Sequence, residues 1–255
     1  MRGRRLMRYA RAVVAAAVGL LAFSGCSGLT TFSSRQDGQR LTGVLRKPGG
    51  PGPFPAVVLM HGCGGIQPGN ETWASALTTW GYVALLVDSF TSRGLSEICT
   101  NFGRLGVGDR TFDAYGALDH LRSLPFVAKD RVALMGWSHG GRVVLFALSE
   151  DRRPAIGGFR AGVALYPLCE SHSRTYPPTL ILVGDADDWT PAARCDVFRS
   201  HATIELKVYK GAPHSFDNPG PPRTYLGHAL GYDHAATADA RNMVREFLAR
   251  HLRAP

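Results

Sequence analysis

Several features are missing from this sequence, and each absence removes a class of function. Only 19% of the residues are charged, and no basic run interleaved with aromatics occurs, so there is no footprint for nucleic acid. The formal net charge of +9 does not supply one either. Five of the arginines (Arg2, Arg4, Arg5, Arg8 and Arg11) lie within residues 1–25, where there is no acid, which leaves +4 for the remainder. Long apolar runs are scarce, and Ala12–Phe23 falls well short of the roughly 20 residues that a membrane-spanning helix requires. No internal repeat and no second domain can be traced. What remains is 255 residues with 45% apolar content, enough to bury one substantial core.

The N-terminus has the pattern of a bacterial export signal, with a basic stretch followed by the short apolar segment. Phe23-Ser24-Gly25-Cys26 resembles a lipobox. Residues 1–25 are therefore expected to be a signal peptide, with Cys26 lipidated as the first mature residue. The protein would then be periplasmic and attached to a membrane through its lipid. Ala22-Phe23-Ser24 offers an ordinary signal-peptidase site instead, and Arg4-Arg5 hints at twin-arginine export. Residues 26–255 are expected to form the folded domain. In an oxidising compartment some of Cys63, Cys99, Cys169 and Cys195 can pair. Cys169 and Cys195 follow strands expected to be neighbours and are the expected pair, with Cys99 able to replace either; Cys63 is expected to stay a free thiol.

From residue 26 to 38 the chain reads as a polar tether, and Gln39–Arg46 as an edge strand. Continuous apolar runs at 55–60, 82–87, 131–135, 161–166, 179–183 and 204–209 read as strands buried on both faces. They alternate with helical patterns opened by Asn70 and Asp109, and a terminal helix follows Tyr232. That alternation predicts an α/β fold, a mainly parallel twisted sheet with helices on both faces. The segment 89–108 is too long and irregular for a plain connector and is expected to serve the site.

Between the strand at 131–135 and the following helix stands Gly136-Trp137-Ser138-His139-Gly140, a G-x-S-x-G pattern in a strand-to-helix setting. Its glycines let strand and helix pack closely, so that the Ser138 hydroxyl stands clear in a strained turn. A serine needs a base, and the base needs an acid to orient it. After Ser138 two segments follow strands and fit: Gly184–Pro191, with Asp185, Asp187 and Asp188, and Gly211–Phe216, with His214. Asp187 leaves its strand by a short turn and precedes Thr190-Pro191, which makes it the preferred acid; His214 is the base. Two backbone amides are expected to form an oxyanion hole, that of His139 after the nucleophile and that of Cys63 in the turn after the strand at 55–60. A thiol nucleophile at Cys63 is the weaker chemical reading.

Taken together, the stretches Pro55–Gly65, Asp88–Gly94, Gly136–Gly141, Gly184–Pro191 and His214–Phe216 resemble the dienelactone hydrolase family of α/β hydrolases, from about Leu41 to Leu252. The resemblance implies a small ester or lactone as substrate, no metal or cofactor, an acid at Asp187, a base at His214 and oxyanion amides at Cys63 and His139. It departs from the founding members in having Ser138 where they have cysteine. Those enzymes also hold a substrate carboxylate with two arginines. Arg93 approximates the first, one residue out of step, while Asn218 falls near the second. Arg93 is accordingly an expected substrate contact. The leading expectation is an exported serine esterase; the others are a silent ligand-binding scaffold and a peptidase of the same fold.

Overall fold

The computed structural model describes residues 26–152, 158–170 and 175–252. The expected signal segment, 1–25, lies outside these residues, as does the Cys26 side chain on which lipidation would rest. In chain order the elements are β1 (Cys26–Ser33), β2 (Arg40–Lys47), β3 (Phe54–Met60), α1 (Pro68–Thr79), β4 (Val83–Asp88) and α2 (Val107–Ser123). Next come β5 (Val127–Trp137), α3 (His139–Ala147), β6 (Ala161–Leu165), β7 (Thr179–Gly184) and β8 (Ile204–Tyr209). A short ribbon, β9 (Arg223–Tyr225) and β10 (His228–Leu230), precedes α4 (His234–Leu252).

Eight strands form one sheet in the order β1-β2-β4-β3-β5-β6-β7-β8. The pairs β1/β2 and β2/β4 are antiparallel, and every pair from β4 to β8 is parallel. The parallel strands read as continuous apolar runs because both faces are covered. Ala56, Val58 and Met60 of β3 point with Leu85 and Leu134 to the core under α2 and α3. Val57 and Leu59 point with Leu86 and Met135 to the core under α1 and α4, where Trp73, Leu77, Val244 and Phe247 are buried. One residue of register separates the two cores, as the two-residue strand repeat requires. This is the α/β-hydrolase architecture. The turns leaving β3 to β8 gather at one edge of the sheet, the carboxyl ends of the parallel strands, where ligands bind in open α/β sheets.

Several expectations are corrected here. The stretch from residue 26 is not a tether, because β1 lies at the sheet edge and pairs along all of its length with β2. Among the described side chains of that strand only Phe32 is buried, while Leu29 is exposed; the backbone ladder holds it, so its side chains could look polar. β2 is consequently an inner strand. Asn70 and Asp109 do not open their helices. Each sits three positions in and reaches back, Asn70 Oδ1 accepting the Gln67 N–H and Asp109 Oδ2 the Gly106 N–H, which satisfies an otherwise orphaned donor. Cys63 is not a free thiol but is bonded to Cys99, while Cys169 and Cys195 form the second disulfide. The 89–106 loop folds back over the turn after β3, with Ile98 N–H donating to the Cys63 carbonyl at 2.8 Å. That contact brings Cys99 beside Cys63, and nothing in the irregular loop sequence announces it.

Candidate active site

The turn between β5 and α3 forces close approach. A Cβ on Gly136 would overlap the Gly140 carbonyl, and one on Gly140 would overlap the Met60 carbonyl. Ser138 between them is held at φ 51° and ψ −115°, a left-handed conformation that costs a non-glycine residue on the order of 1–3 kcal/mol. Four non-glycine residues have positive φ among those described: Ser138, Tyr166, Ser215 and Leu226. The first three line one cavity of about 310 Å³, so the backbone strain is concentrated where chemistry would occur.

His214, in the turn after β8, bridges the cavity wall to Ser138. Its Nε2 lies 3.0 Å from Ser138 Oγ and its Nδ1 2.7 Å from Asp187 Oδ2. A carboxylate accepts, so Nδ1 carries the proton and Nε2 is left to accept from the serine hydroxyl. Asp187 Oδ1 accepts the Trp189 and Thr190 amides at 2.9 and 2.8 Å, and the Thr190 hydroxyl lies 2.8 Å from Oδ2. Burial opposes a charge on Asp187, but the hydrogen bonds from His214 and Thr190 outweigh it and hold the carboxyl below its ordinary range. The competing acids are engaged elsewhere: Asp185 accepts the Gly211 N–H, and Asp188 faces Ala229 and His228 on the β9–β10 ribbon. Serine, imidazole and carboxylate thus form one continuous hydrogen-bonded chain. Cys63 lines the same cavity, and His139 is the first residue of α3, directly after Ser138.

Arg93 requires a correction. Both arms of its guanidinium go to Asp113, at 2.8 and 2.9 Å, and Nη1 also donates to the Ser89 carbonyl. Asp113 is fully buried, and Arg93 does not line the cavity. The fork expected for a substrate carboxylate is occupied by the protein itself. Asn218 lines the cavity, with Oδ1 accepting the Gly69 N–H at the start of α1.

Two buried ionisable groups are not apparent from the sequence. Arg110 is fully buried and donates to His61 and His139; burial lowers its pKa to about 10. On α2 it shares a stripe with Asp113, Ala117 and Leu121, so charges at apolar-stripe spacing were the available signal. Asp217, three residues after His214, accepts from Trp73 Nε1, Trp137 Nε1 and Tyr166 Oη at 2.7, 2.8 and 2.6 Å. Burial raises its carboxyl, against the pull of those three donors. The Tyr166 ring stands edge-on to His214 at 4.7 Å.

The family model for the dienelactone hydrolase family matches residues 41–252, most of the chain and all of the site just described. The chain belongs to that family. This hydrolase is 28% identical to a Bradyrhizobium protein named "Probable 2-oxo-3-(5-oxofuran-2-ylidene)propanoate lactonase", over 71% of its own length and 80% of the relative's. Among solved structures, the dienelactone hydrolase from Anabaena variabilis superposes with a TM-score of 0.68 at 22% identity, covering 90% of the hydrolase and 99% of that chain. Porphyromonas gingivalis dipeptidyl peptidase 4 superposes with a TM-score of 0.66 at 19% identity, covering 89% of the hydrolase but only 35% of that chain. At such identities both likenesses speak to the fold.

Proposed function

We propose that this chain is a serine carboxylic-ester hydrolase that cleaves small esters or lactones through an acyl-enzyme. The observation that carries the proposal is His214, within hydrogen-bonding distance of Ser138 Oγ through one nitrogen and of Asp187 through the other. Ser138 Oγ attacks the carbonyl carbon while His214 Nε2 takes the hydroxyl proton. Asp187 stabilises the imidazolium and keeps its ring in register. The Cys63 and His139 amides receive the negative oxygen. Collapse of the tetrahedral intermediate passes the proton to the departing alkoxide and leaves an acyl-serine. Water, deprotonated by the same imidazole, then releases the acid. For a lactone, alcohol and acid remain one molecule.

Substrate size is bounded by the cavity of about 310 Å³, whose walls include Trp137, Tyr166, Trp189 and Tyr225. Such walls favour a compact substrate with a flat face, and the lactonase name of the Bradyrhizobium relative points the same way. Action outside the cytoplasm is part of the proposal, with Cys26 lipidated after cleavage of residues 1–25. It is supported by the two disulfides together with the basic and apolar N-terminal pattern. Mass spectrometry of the mature N-terminus distinguishes a diacylated Cys26 from an ordinary signal-peptidase cut.

The decisive experiment is labelling with a fluorophosphonate followed by peptide mapping, alongside turnover of p-nitrophenyl acetate by wild type and Ser138→Ala. Label on Ser138, and loss of all but about 10³–10⁴-fold of the acceleration over water in the variant, are expected. Near-wild-type turnover by Ser138→Ala, or an unlabelled Ser138, would end the proposal.

A further inference from the structure

We infer that His61, seated on the buried guanidinium of Arg110, aims the Cys63 N–H into the oxyanion site and is a positioning residue of the reaction. This rests on the esterase reading and adds to it the device that orients one oxyanion donor.

The argument begins with a single peptide unit. The Gly62 carbonyl and the Cys63 N–H belong to the same planar group, and the cis peptide of the described chain is elsewhere, at Gly52–Pro53. In a trans peptide the C=O and N–H point in opposite directions. Whatever fixes the carbonyl of Gly62 therefore fixes the direction of the Cys63 hydrogen. His61 Nδ1 lies 2.7 Å from that carbonyl oxygen. The oxygen can only accept, so Nδ1 bears the proton. The other ring nitrogen, Nε2, then faces the Ser89 N–H at 3.4 Å as an acceptor. This tautomer also settles the role of Arg110. Its Nη2 comes within 3.3 Å of His61 Nδ1, but both are donors, so the productive bond is the one from Nη2 to the His61 carbonyl at 2.7 Å.

The same guanidinium reaches the other half of the site. Arg110 Nη1 donates to His139 Nδ1 at 2.9 Å, and His139 carries the second amide. One cation thus clamps the turn after β3 and the start of α3, the two segments flanking Ser138. Arg110 Cζ also stands 5.2 Å over the Phe90 ring, and the His139 ring stacks on Phe102. Neutral imidazoles are required throughout. Burial, reinforced by the Arg110 charge, lowers His61 to about 3 and His139 to about 2. Beyond the oriented peptide, the Cys63 carbonyl accepts the Ile98 N–H and its sulfur is bonded to Cys99. The oxyanion turn is held from both sides. A Gly-rich turn (Gly62, Gly64 and Gly65) needs such external restraint, since its own residues have the widest backbone freedom.

The test exploits the shapes of two amides. In His61→Asn the side-chain nitrogen can occupy the place of Nδ1; in His61→Gln it reaches toward the place of Nε2; His61→Leu offers neither. Turnover of p-nitrophenyl acetate, inhibition by an aryl trifluoromethyl ketone and Tm are measured for all three, with Ser138→Ala as the blank. Removing an oxyanion donor outright costs on the order of 10²–10³ in kcat, so misaiming one in His61→Leu should cost roughly 10- to 100-fold. KM should change little, and the ketone, which forms an oxyanion on Ser138, should weaken by a similar factor. His61→Asn should recover most of the lost kcat and His61→Gln little. The inference fails if His61→Leu keeps kcat within about twofold, or if Gln rescues as well as Asn on this scale of effects. Should His61→Leu not fold, the Asn-against-Gln comparison decides alone. A wild type no faster than the Ser138→Ala blank overturns the esterase reading itself, whereas an active wild type with unaffected His61 variants overturns only this inference.

Discussion

Ser138 stands between two braces, one built on a buried guanidinium and the other on a buried carboxyl. On the side of the Cys63 turn, where the proposed oxyanion amides lie, Arg110 donates outward to the His61 carbonyl and to His139. On the acid–base side, Asp217 draws inward the donors of Trp73, Trp137 and Tyr166, and Tyr166 supports the His214 ring. Neither brace relies on a direct ion pair. Each instead rests on neutral groups, with Arg110 Nε left without a partner among the described residues, and its geometry is fixed by several elements at once. The cation stays charged under any ordinary condition, since its pKa falls only to about 10. The anion is the softer of the two, because burial raises its carboxyl toward protonation. The Cys63 side is thus held by a permanent charge, the His214 side by a titratable group.

The comparison can be broken at several points. The largest effect should come from Asp187→Asn, which leaves both braces intact but removes the acceptor that sets the His214 tautomer. A fall in kcat on the order of 10⁴ is expected from steady-state turnover, and a mild loss would show that another acid orients the ring. Next come the braces themselves. Arg110→Met strands two buried acceptors and Asp217→Leu three buried donors, at about 1–3 kcal/mol for each stranded group. Urea unfolding should therefore rank Asp217→Leu as the more destabilised, and the reverse order would mean that the cation carries more of the fold than its contacts imply.

The two sides should also answer pH with opposite signs. His61 and His139 are depressed below their ordinary value of 6.5, so the unfolded chain binds protons that the folded one refuses. Their contribution is present above pH 6.5 and is lost as pH falls below it, at up to about 1.4 kcal/mol per pH unit for each histidine. Asp217, raised above 3.8, contributes when protonated and loses that contribution as pH rises through its folded pKa. Thermal melts from about pH 7 down to about pH 5 should show Tm falling, and His61→Asn should flatten that slope. An unchanged slope would place the titration elsewhere. The smallest effects belong to Asp185→Asn and Asp188→Asn. Their contacts are exposed, each is expected to cost less than about 1 kcal/mol, and turnover should stay within a few-fold; a large loss from Asp185→Asn would reopen the identity of the acid.

How legible the molecule is depends on whether its determinants are local. The parallel strands could be read because burial on both faces leaves an unbroken apolar run. The turn at Ser138 could be read because only glycine fits at Gly136 and Gly140. Asp187 emerged from three candidates through the Thr190-Pro191 that follows it, and the structure places it against His214. The misses have more than one cause, and for the site residues it is distance along the chain. β1 is held by backbone pairing that any sequence can make. Arg93 has the spacing of a substrate ligand, but Asp113, twenty positions on, claims both its arms. Arg110 and Asp217 each matter through partners scattered over distant elements, and no window of sequence displays that convergence.

The bond between Cys63 and Cys99 spans 36 positions, and closing a loop of that length removes about 4 kcal/mol of chain entropy from the unfolded ensemble. Stability is only part of what it does. A newly made chain in a reducing cell interior could assemble its sheet and bring Ser138, His214 and Asp187 together while both sulfurs were still thiols. Completion of the pocket wall would then wait for an oxidant, and the last step of maturation would be chemical rather than conformational. Preparations from reducing and oxidising hosts would share one fold yet differ in the wall facing the substrate, so activity would record where the protein was made as well as what it is.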